Sequence, residues 1–226
     1  ILLCFPMIGF GQDYQKGYNY HINGQYELSV DYFTKAISKD SINPSLYTIR
    51  GLSYKSLNSH QLAINDYTKS IELFPYQMFE KDFEDFDWSK LVSNYNNRAF
   101  SYLQLKQYKL SILDYRFVLE KTEELKKLLE INPTILIDIH MNIGVCKINL
   151  GLNYCKNFQI ACLLGDEEGC ELYNTIEVCK EEQKDRGDEN DDWFSIAFMR
   201  EYEFRDSIET ANSVPYDTIL WDTSDI

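Results

Sequence analysis

The sequence predicts an all-α fold: an α-solenoid of about four antiparallel helix-turn-helix hairpins with a capping helix. The first observation is an internal repeat with a period of 34 residues. Residues one period apart have the same character, and the pairs are Gly17 and Gly51, Tyr20 and Tyr54, Val30 and Ile64, Phe33 and Tyr67, Lys35 and Lys69, and Ile37 and Ile71. The second observation is that apolar residues within each repeat recur at helical spacing. A helix pair of this length cannot bury its apolar face alone, so successive pairs must stack.

The stretch from residue 44 to 77 contains both helices of one hairpin. Asn43 is a good N-cap, and Pro44 suits the first helical position because the amide hydrogen that proline lacks has no partner there. Gly51 in the first helix allows the second helix to approach closely near Ala63, and Pro75 is expected to end the second helix. The buried stripe of the second helix comprises Ala63, Ile64, Tyr67, Ser70 and Ile71.

Two further hairpins follow at longer spacing. The third is displaced by 48 residues, which is one period plus the 14 residues of an insertion at 78–91. Its matching residues are Ala99, Tyr102, Ser111, Asp114 and Tyr115. The fourth starts after Pro133 and has Gly144 at the small position, with Cys155 and Cys162 predicted at the small positions of its second helix. The predicted repeats cover about 11–43, 44–77, 92–125 and 134–165, and a capping helix at 167–183 follows Asp166 as N-cap.

The insertion at 78–91 mixes four aromatic residues with five acidic ones. One interpretation is a helical extension whose aromatic side chains cover the array. The other is an acidic, aromatic loop that contacts a partner. The residue pattern alone leaves both open.

Charge is distributed unevenly along the chain. The net charge of −14 argues against nucleic-acid binding. Residues 180–226 hold 14 acidic and 5 basic residues, whereas residues 1–179 hold 22 acidic and 17 basic residues. We therefore expect residues 184–226 to be an acidic, largely flexible tail. Its apolar stretch 193–206 is a candidate either to fold back on the array or to bind a partner.

Residues 1–12, ILLCFPMIGFGQ, are apolar and uncharged. They are too few to span a bilayer. They are similar to the apolar region and cleavage site of a secretory signal peptide, with Gly9 and Gly11 before Gln12, and they resemble signal peptides of Bacteroidetes-type bacteria. We therefore interpret residues 1–11 as the remnant of a signal peptide. The alternative is a buried N-terminal helix or strand. The expected location is the periplasm or cell surface of a Gram-negative bacterium, with no membrane span in the mature chain.

The hairpin pattern resembles the tetratricopeptide repeat. The matching residues of the second hairpin are Tyr47, Gly51, Tyr54, Ala63, Tyr67 and Pro75. The resemblance implies that the first helices of the hairpins line a concave groove. We call the side chains on that stripe the groove face: Tyr14, Tyr18, His21, Thr48, Leu52, Lys55, Asn96, Phe100, Leu103, Met141, Val145 and Ile148. The predicted binding residues are Tyr14, Tyr18, His21, Leu52, Lys55, Phe100 and Leu103, and the expected anchors are Tyr18, Leu52 and Phe100.

The resemblance also restricts the partner. Some members of the family grip the terminal carboxylates of chaperone tails with Lys, Arg and Asn side chains on this face. Here those positions hold tyrosine, threonine and leucine, and only Lys55 is basic, so an adaptor for chaperone tails is not supported. The alternative to an external partner is that residues 193–206 cover the groove face.

Five cysteines follow Cys4, and they contain no CxxC pair, so no metal site is expected. The stretch 161–170, ACLLGDEEGC, resembles the cysteine-rich branch of Sel-like helical repeats. That resemblance implies a disulfide between Cys162 and Cys170, which are eight positions apart. The alternative is that both are small buried core residues. The pairing of Cys146, Cys155 and Cys179 cannot be read from the sequence.

Catalysis has little support. None of the three histidines lies in a metal or nucleophile motif, and the sequence has no glycine-rich phosphate loop. We therefore predict no catalytic residues and no cofactor. The predicted function is a non-enzymatic scaffold that binds a protein or peptide in the bacterial envelope. The rivals are a protein that binds or hydrolyses cell wall or glycan, and the repeat module of a larger protein.

Overall fold

The computed structural model describes residues 7–78, 88–124, 133–176 and Cys179, with side chains placed for 11–74, 88–122, 134–176 and 179. These residues form nine α-helices and no strand. The helices are α1 (Met7–Ile22), α2 (Tyr26–Lys39), α3 (Pro44–Ser56), α4 (His60–Met78), α5 (Trp88–Gln104), α6 (Tyr108–Glu124), α7 (Pro133–Leu150), α8 (Cys155–Leu163) and α9 (Glu167–Thr175). The predicted all-α architecture is confirmed.

The helices stack in chain order. Each helix from α1 to α7 packs against the next one, which gives four hairpins: α1–α2, α3–α4, α5–α6 and α7–α8. In addition, α1 touches α3, α3 touches α5, and α5 touches α7. The first helices of the four hairpins therefore form one layer.

Helix boundaries differ from the prediction in three places. The capping helix was predicted to reach 183, but α9 ends at Thr175. The prediction that Pro75 ends the second hairpin was wrong, because α4 continues to Met78. A proline has a helical φ, so the last turn of a helix can pass through it, although it lacks an amide hydrogen and its ring crowds the carbonyl four residues earlier. Helix α5 begins at Trp88, four residues before the predicted start of its repeat. The remaining predictions for the insertion fall on residues 79–87, and those for residues 1–6 and for the tail beyond 180 also lie outside the described residues.

The α3 start and the hairpin turns follow local rules. The Asn43 side chain accepts a hydrogen bond of 3.1 Å from the Ser45 amide, as expected for an N-cap before Pro44. The first hairpins turn through left-handed residues, Gly24 with φ of 73° and Asn58 with φ of 55°. These are the two residue types that enter this region at least cost.

A small residue on the first helix faces an aromatic ring on the second helix. A Cβ atom added to Gly17 would lie 2.9 Å from the Phe33 ring, and one added to Gly51 would lie 2.9 Å from the Tyr67 ring. The predicted close approach of the second helix to Gly51 is present, and the atoms nearest to Gly51 belong to Tyr67 and Asp66. The ring is what fills the space that the missing side chain leaves, and Phe33 and Tyr67 are fully buried.

Helix α8 is shifted in register relative to the prediction. A Cβ atom added to Gly144 would lie 2.6 Å from the Phe158 ring, so Phe158 occupies the place of Phe33 and Tyr67. Ala161 is fully buried three residues later, whereas Cys162 is only partly buried. Cys162 therefore does not fill a small core position, because Gly144 and its ring Phe158 are 14 positions apart, whereas Gly51 and its ring Tyr67 are 16 apart.

Two buried ion pairs tie the helices of the middle hairpins together. In α3–α4, Arg50 donates to both oxygens of Asp66, at 2.8 and 2.7 Å. In α5–α6, Arg98 donates to both oxygens of Asp114, at 2.7 and 2.8 Å. This bidentate geometry is the strongest that an arginine and a carboxylate can adopt.

Each of these arginines also reaches back to the preceding hairpin. Arg50 donates to the Thr34 hydroxyl of α2 at 3.0 Å, and Arg98 donates to the Thr68 hydroxyl of α4 at 3.1 Å. Tyrosine rings flank each guanidinium at 5.0 to 5.8 Å, and they are Tyr47 and Tyr54 for Arg50 and Tyr95 and Tyr102 for Arg98. One side chain thus fixes a hairpin internally and sets its position on its neighbour.

Packing divides the chain into two units, residues 1–170 and residues 171–226. In the first unit, Cys162 and Cys170 form a disulfide with Cα atoms 4.4 Å apart. Asp166 caps α9 by accepting a hydrogen bond from the Gly169 amide. In the second unit, Cys179 is buried. Cys146 is a buried free thiol.

Candidate functional site

The groove face lies on the layer formed by α1, α3, α5 and α7. Because neighbouring members of this layer touch, the side chains that they carry adjoin along the array. None of the twelve groove-face residues is acidic, and Lys55 is the one lysine or arginine among them. The face is therefore mainly apolar and aromatic, with one positive charge.

The first part of the groove face is aromatic. Tyr14 and Tyr18 stack with ring centroids 6.4 Å apart, and the Tyr14 ring meets the core residue Phe33 edge-on at 5.8 Å. Tyr14 is held in place by this packing, while Tyr18 is 42% exposed. Of the two predicted tyrosines, Tyr18 is the one that offers its ring to a ligand.

His21 is a link between helices. Its Nδ1 lies 2.9 Å from the Ser53 hydroxyl of α3, which lies 2.9 Å from the Ser29 hydroxyl of α2. Burial lowers the pKa of His21, and the charge of Lys55 lowers it further. His21 is therefore neutral near pH 7 and serves the packing of the first two hairpins, although its prediction as a binding residue is untested.

The centre of the groove face contains Lys55. Its ammonium group donates a hydrogen bond of 2.6 Å to Asn97 Oδ1 and lies 5.6 Å from the centre of the Phe100 ring. Asn97 is oriented by donating to the Ser93 carbonyl at 2.8 Å. Burial lowers the pKa of Lys55. The structure thus brings the predicted residues Lys55 and Phe100 together, with Leu52 half-buried on the same helix as Lys55.

The last part of the groove face is aliphatic. Leu103 packs against the core of Ala99, Tyr115 and their neighbours, so it is only partly available. Val145 and Ile148 on α7 are 39% and 44% exposed. These two residues continue the predicted stripe and expose more apolar surface than Leu103 does.

A buried polar cluster fixes the helices behind the groove face. The Thr48 hydroxyl lies 3.0 Å from Asn94 Oδ1 and 2.9 Å from the Ser70 hydroxyl, and Asn94 donates to Ser70 at 3.2 Å. This cluster joins α3, α4 and α5. Thr48 is therefore occupied by its neighbours and does not offer its hydroxyl to a ligand.

Sequence reasoning missed two residues at the centre. Asn97 lies one position beyond the groove stripe, and its contact with Lys55 crosses from one hairpin to the next, so no repeat spacing indicates it. The second is His60, which is the first residue of α4 and has its ring 6.2 Å from the Phe100 ring. Burial and then Lys55 lower the pKa of His60.

The described part of the chain contains no cluster of three or more His, Cys, Asp or Glu side chains suited to a metal ion. None of its helices is both long enough and apolar enough to cross a membrane.

Residues 14–41 and 44–77 match the tetratricopeptide repeat family. The structure of MamA AMB-1 aligns with 94% of this chain and 97% of its own at 17% identity, with a TM-score of 0.57. The fold is that of a tetratricopeptide-repeat solenoid. MamA MSR-1 aligns with 77% of this chain and 87% of its own at 18% identity, with a TM-score of 0.54.

Smaller tetratricopeptide-repeat domains also align with part of the solenoid. The TPR2B domain of yeast Sti1, solved in complex with an Hsp70 peptide, covers 63% of this chain and 98% of its own at 18% identity. Its TM-score is 0.49, a likeness of helical hairpins only. None of the curated protein sequences matches this chain.

Proposed function

We propose that this protein is a non-enzymatic scaffold whose groove face binds an extended peptide segment of a partner protein. The observation that carries the proposal is the exposure of Tyr18, Val145 and Ile148 on one layer of helices. Large apolar side chains that adjoin on a surface are typical of interaction sites. Behind this layer, the polar side chains of Thr48, Ser70 and Asn94 are hydrogen-bonded to one another and are not available to a ligand.

The shape of the layer favours an extended ligand. Successive first helices present one short stripe each, and a peptide that crosses them meets a new stripe at every helix. The aromatic ring at one end and the aliphatic side chains at the other would contact different side chains of the peptide. Catalysis does not enter the proposal, since the groove face holds no pair of acidic or nucleophilic groups.

The proposal includes an oxidising location. Disulfides such as Cys162–Cys170 persist in exported proteins and are rare in reducing cytosol. Together with the apolar stretch at residues 1–12, this supports a scaffold of the bacterial envelope, in the periplasm or at the cell surface. Alkylation of protein taken from its native cells without reductant should leave Cys162 and Cys170 unlabelled. Labelling of both residues would remove this argument for export.

The binding site is tested by selection from a displayed library of random 16-residue peptides. Wild type is compared with a Tyr18→Ala/Phe100→Ala double variant, and a Leu62→Ala/Leu110→Ala variant serves as the matched control. Leu62 and Leu110 are exposed apolar residues of the second helices, outside the groove face. All three proteins are first compared by circular dichroism.

We expect wild type and the control to enrich the same peptides, and the groove variant to bind them at least tenfold more weakly, because buried aromatic anchors dominate interface energies. Peptides that bind the folded groove variant equally well would contradict the proposed site. An absence of enriched peptides would contradict extended-peptide binding itself.

A further inference from the structure

The centre of the groove face holds a positive charge without a negative partner. No carboxylate of the described residues lies within ion-pair distance of Lys55, although Arg50 and Arg98 in the same hairpins each have one. The ammonium group of Lys55 has three donors, and a hydrogen bond to Asn97 uses one of them. A half-buried charge with unused donors is poorly solvated, so an incoming anion would improve its environment.

Among the described residues, the recorded neighbours of Lys55 carry no charge. His21 and His60 are both held neutral near pH 7 by burial and by Lys55 itself. The ammonium group is held in place by its hydrogen bond to Asn97 and by the Phe100 ring, and neither contact neutralises its charge. The position of the charge is thus fixed before a ligand arrives, which reduces the entropy lost on binding.

Given the proposed peptide-binding function, we infer that the partner segment is acidic at one defined position, where an Asp or Glu side chain pairs with Lys55. Charge complementarity is the argument for this occupant, since the groove face has one cation and no anion. A carboxylate oxygen can accept from the ammonium group in a site that is partly shielded from water, where such hydrogen bonds are strong.

The layer also sets the spacing of the motif. Packed helices lie about 8–10 Å apart, and an extended peptide advances about 3.3 Å per residue. Tyr18 is one helix away from Lys55, so its ligand residue should lie about three positions from the acidic residue. Val145 and Ile148 are two helices away on the other side, so an aliphatic residue should lie about five or six positions from it. The chain direction of the peptide is not fixed by this argument.

The test uses peptides selected on wild type and measures their affinity by fluorescence anisotropy. Each peptide is paired with a version in which its acidic residue is changed to Gln or Asn, and both are measured on wild type and on Lys55→Gln. This substitution removes the charge and keeps an amide that can donate to Asn97. Lys69→Gln is the control, since Lys69 is an exposed lysine outside the groove face that pairs with Glu72.

We expect selected peptides to carry an acidic residue with apolar residues at the stated spacings. Loss of either partner of the pair should weaken binding about tenfold, and loss of both should weaken it little more than loss of one. Binding to Lys69→Gln should match wild type within twofold.

If the peptides need Tyr18 and Phe100 but are indifferent to Lys55→Gln, the acidic motif is wrong and the scaffold proposal stands. If no peptide depends on Tyr18 and Phe100, both proposals fail. Additive effects of the two changes would also overturn the inference, because they would show that the acidic residue contacts another part of the protein.

Discussion

The middle hairpins and the fourth hairpin hold their helices together by different chemistry. In α3–α4 and α5–α6, an arginine bridges a buried aspartate, two tyrosines and a threonine of the preceding hairpin. In α7–α8, Ile143 takes the place of that arginine and Asn157 that of the aspartate. This hairpin relies on close packing of Gly144 with Phe158 and on an apolar contact with α5 and α6.

The same repeat framework therefore accommodates two kinds of contact between hairpins, one ionic and one apolar. A bidentate arginine fixes both distance and rotation between hairpins, whereas an apolar junction fixes mainly the distance. The fourth hairpin is correspondingly followed by a covalent link, the Cys162–Cys170 disulfide to α9. The middle of the array is therefore held by buried ion pairs, and its C-terminal part is held by apolar packing and a disulfide.

The largest expected effect comes from removing one partner of a middle ion pair. Burial already raises the pKa of Asp114, and Arg98 opposes that rise. Arg98→Met would leave the carboxyl buried without its partner, which should cost about 3–5 kcal/mol in the free energy of unfolding. Urea denaturation of the variant measures this loss.

A double variant tests whether apolar side chains can replace the ion pair. Arg98→Met/Asp114→Leu replaces the ion pair with the apolar chemistry of the fourth hairpin, and it should recover most of the lost stability. A double variant as unstable as the single one would show that the arginine acts mainly through Thr68 and the tyrosines.

The same residues show which contacts could be predicted from the sequence. The spacing of 16 between Arg50 and Asp66 recurs between Arg98 and Asp114, so the ion pairs could have been predicted by extending the repeat to charged positions. The groove stripe was predicted because it follows the helical period. The Lys55–Asn97 contact could not have been predicted from the sequence, since it depends on the rotation of α5 relative to α3, and an insertion separates these two helices in the chain. The register of α8 was missed because it depends on the length of a turn.

Acid should weaken the fourth hairpin through His140. Burial, followed by the charges of Lys156 and Lys147, lowers its pKa to about 4. His140 of the unfolded chain takes up a proton near pH 6.5. The contribution of neutral His140 to the free energy of unfolding is therefore fully present above that pH, and it is lost as the pH falls from 6.5 through 4. The loss is at most about 3 kcal/mol, at 1.36 kcal/mol for each pKa unit. The difference between urea titrations of wild type and His140→Gln across this range isolates the contribution. An equal pH dependence in both proteins would contradict it.

Loss of the Cys162–Cys170 disulfide should have a smaller and local effect. In the chain-entropy model a loop this short contributes roughly 2–3 kcal/mol. A Cys162→Ser/Cys170→Ser variant should show faster hydrogen exchange in α8 and α9 and unchanged exchange in α3 and α4. Faster exchange throughout the array would mean that the middle hairpins also depend on this disulfide and are not held by their own ion pairs alone.

The smallest effect tests the glycine positions of the two regions. Gly51→Ala should be nearly neutral, because Ala99 already occupies the equivalent position of the third hairpin and the gain in helix propensity of about 1 kcal/mol offsets a slight shift of Tyr67. Gly144→Ala brings a methyl group to 2.6 Å from the Phe158 ring, closer than the 2.9 Å between the equivalent methyl group at Gly51 and the Tyr67 ring. The expected cost is about 1–2 kcal/mol after the propensity gain. Thermal unfolding of the two variants gives both values, and a Gly144→Ala variant as stable as Gly51→Ala would show that the fourth hairpin is packed no more tightly than the second.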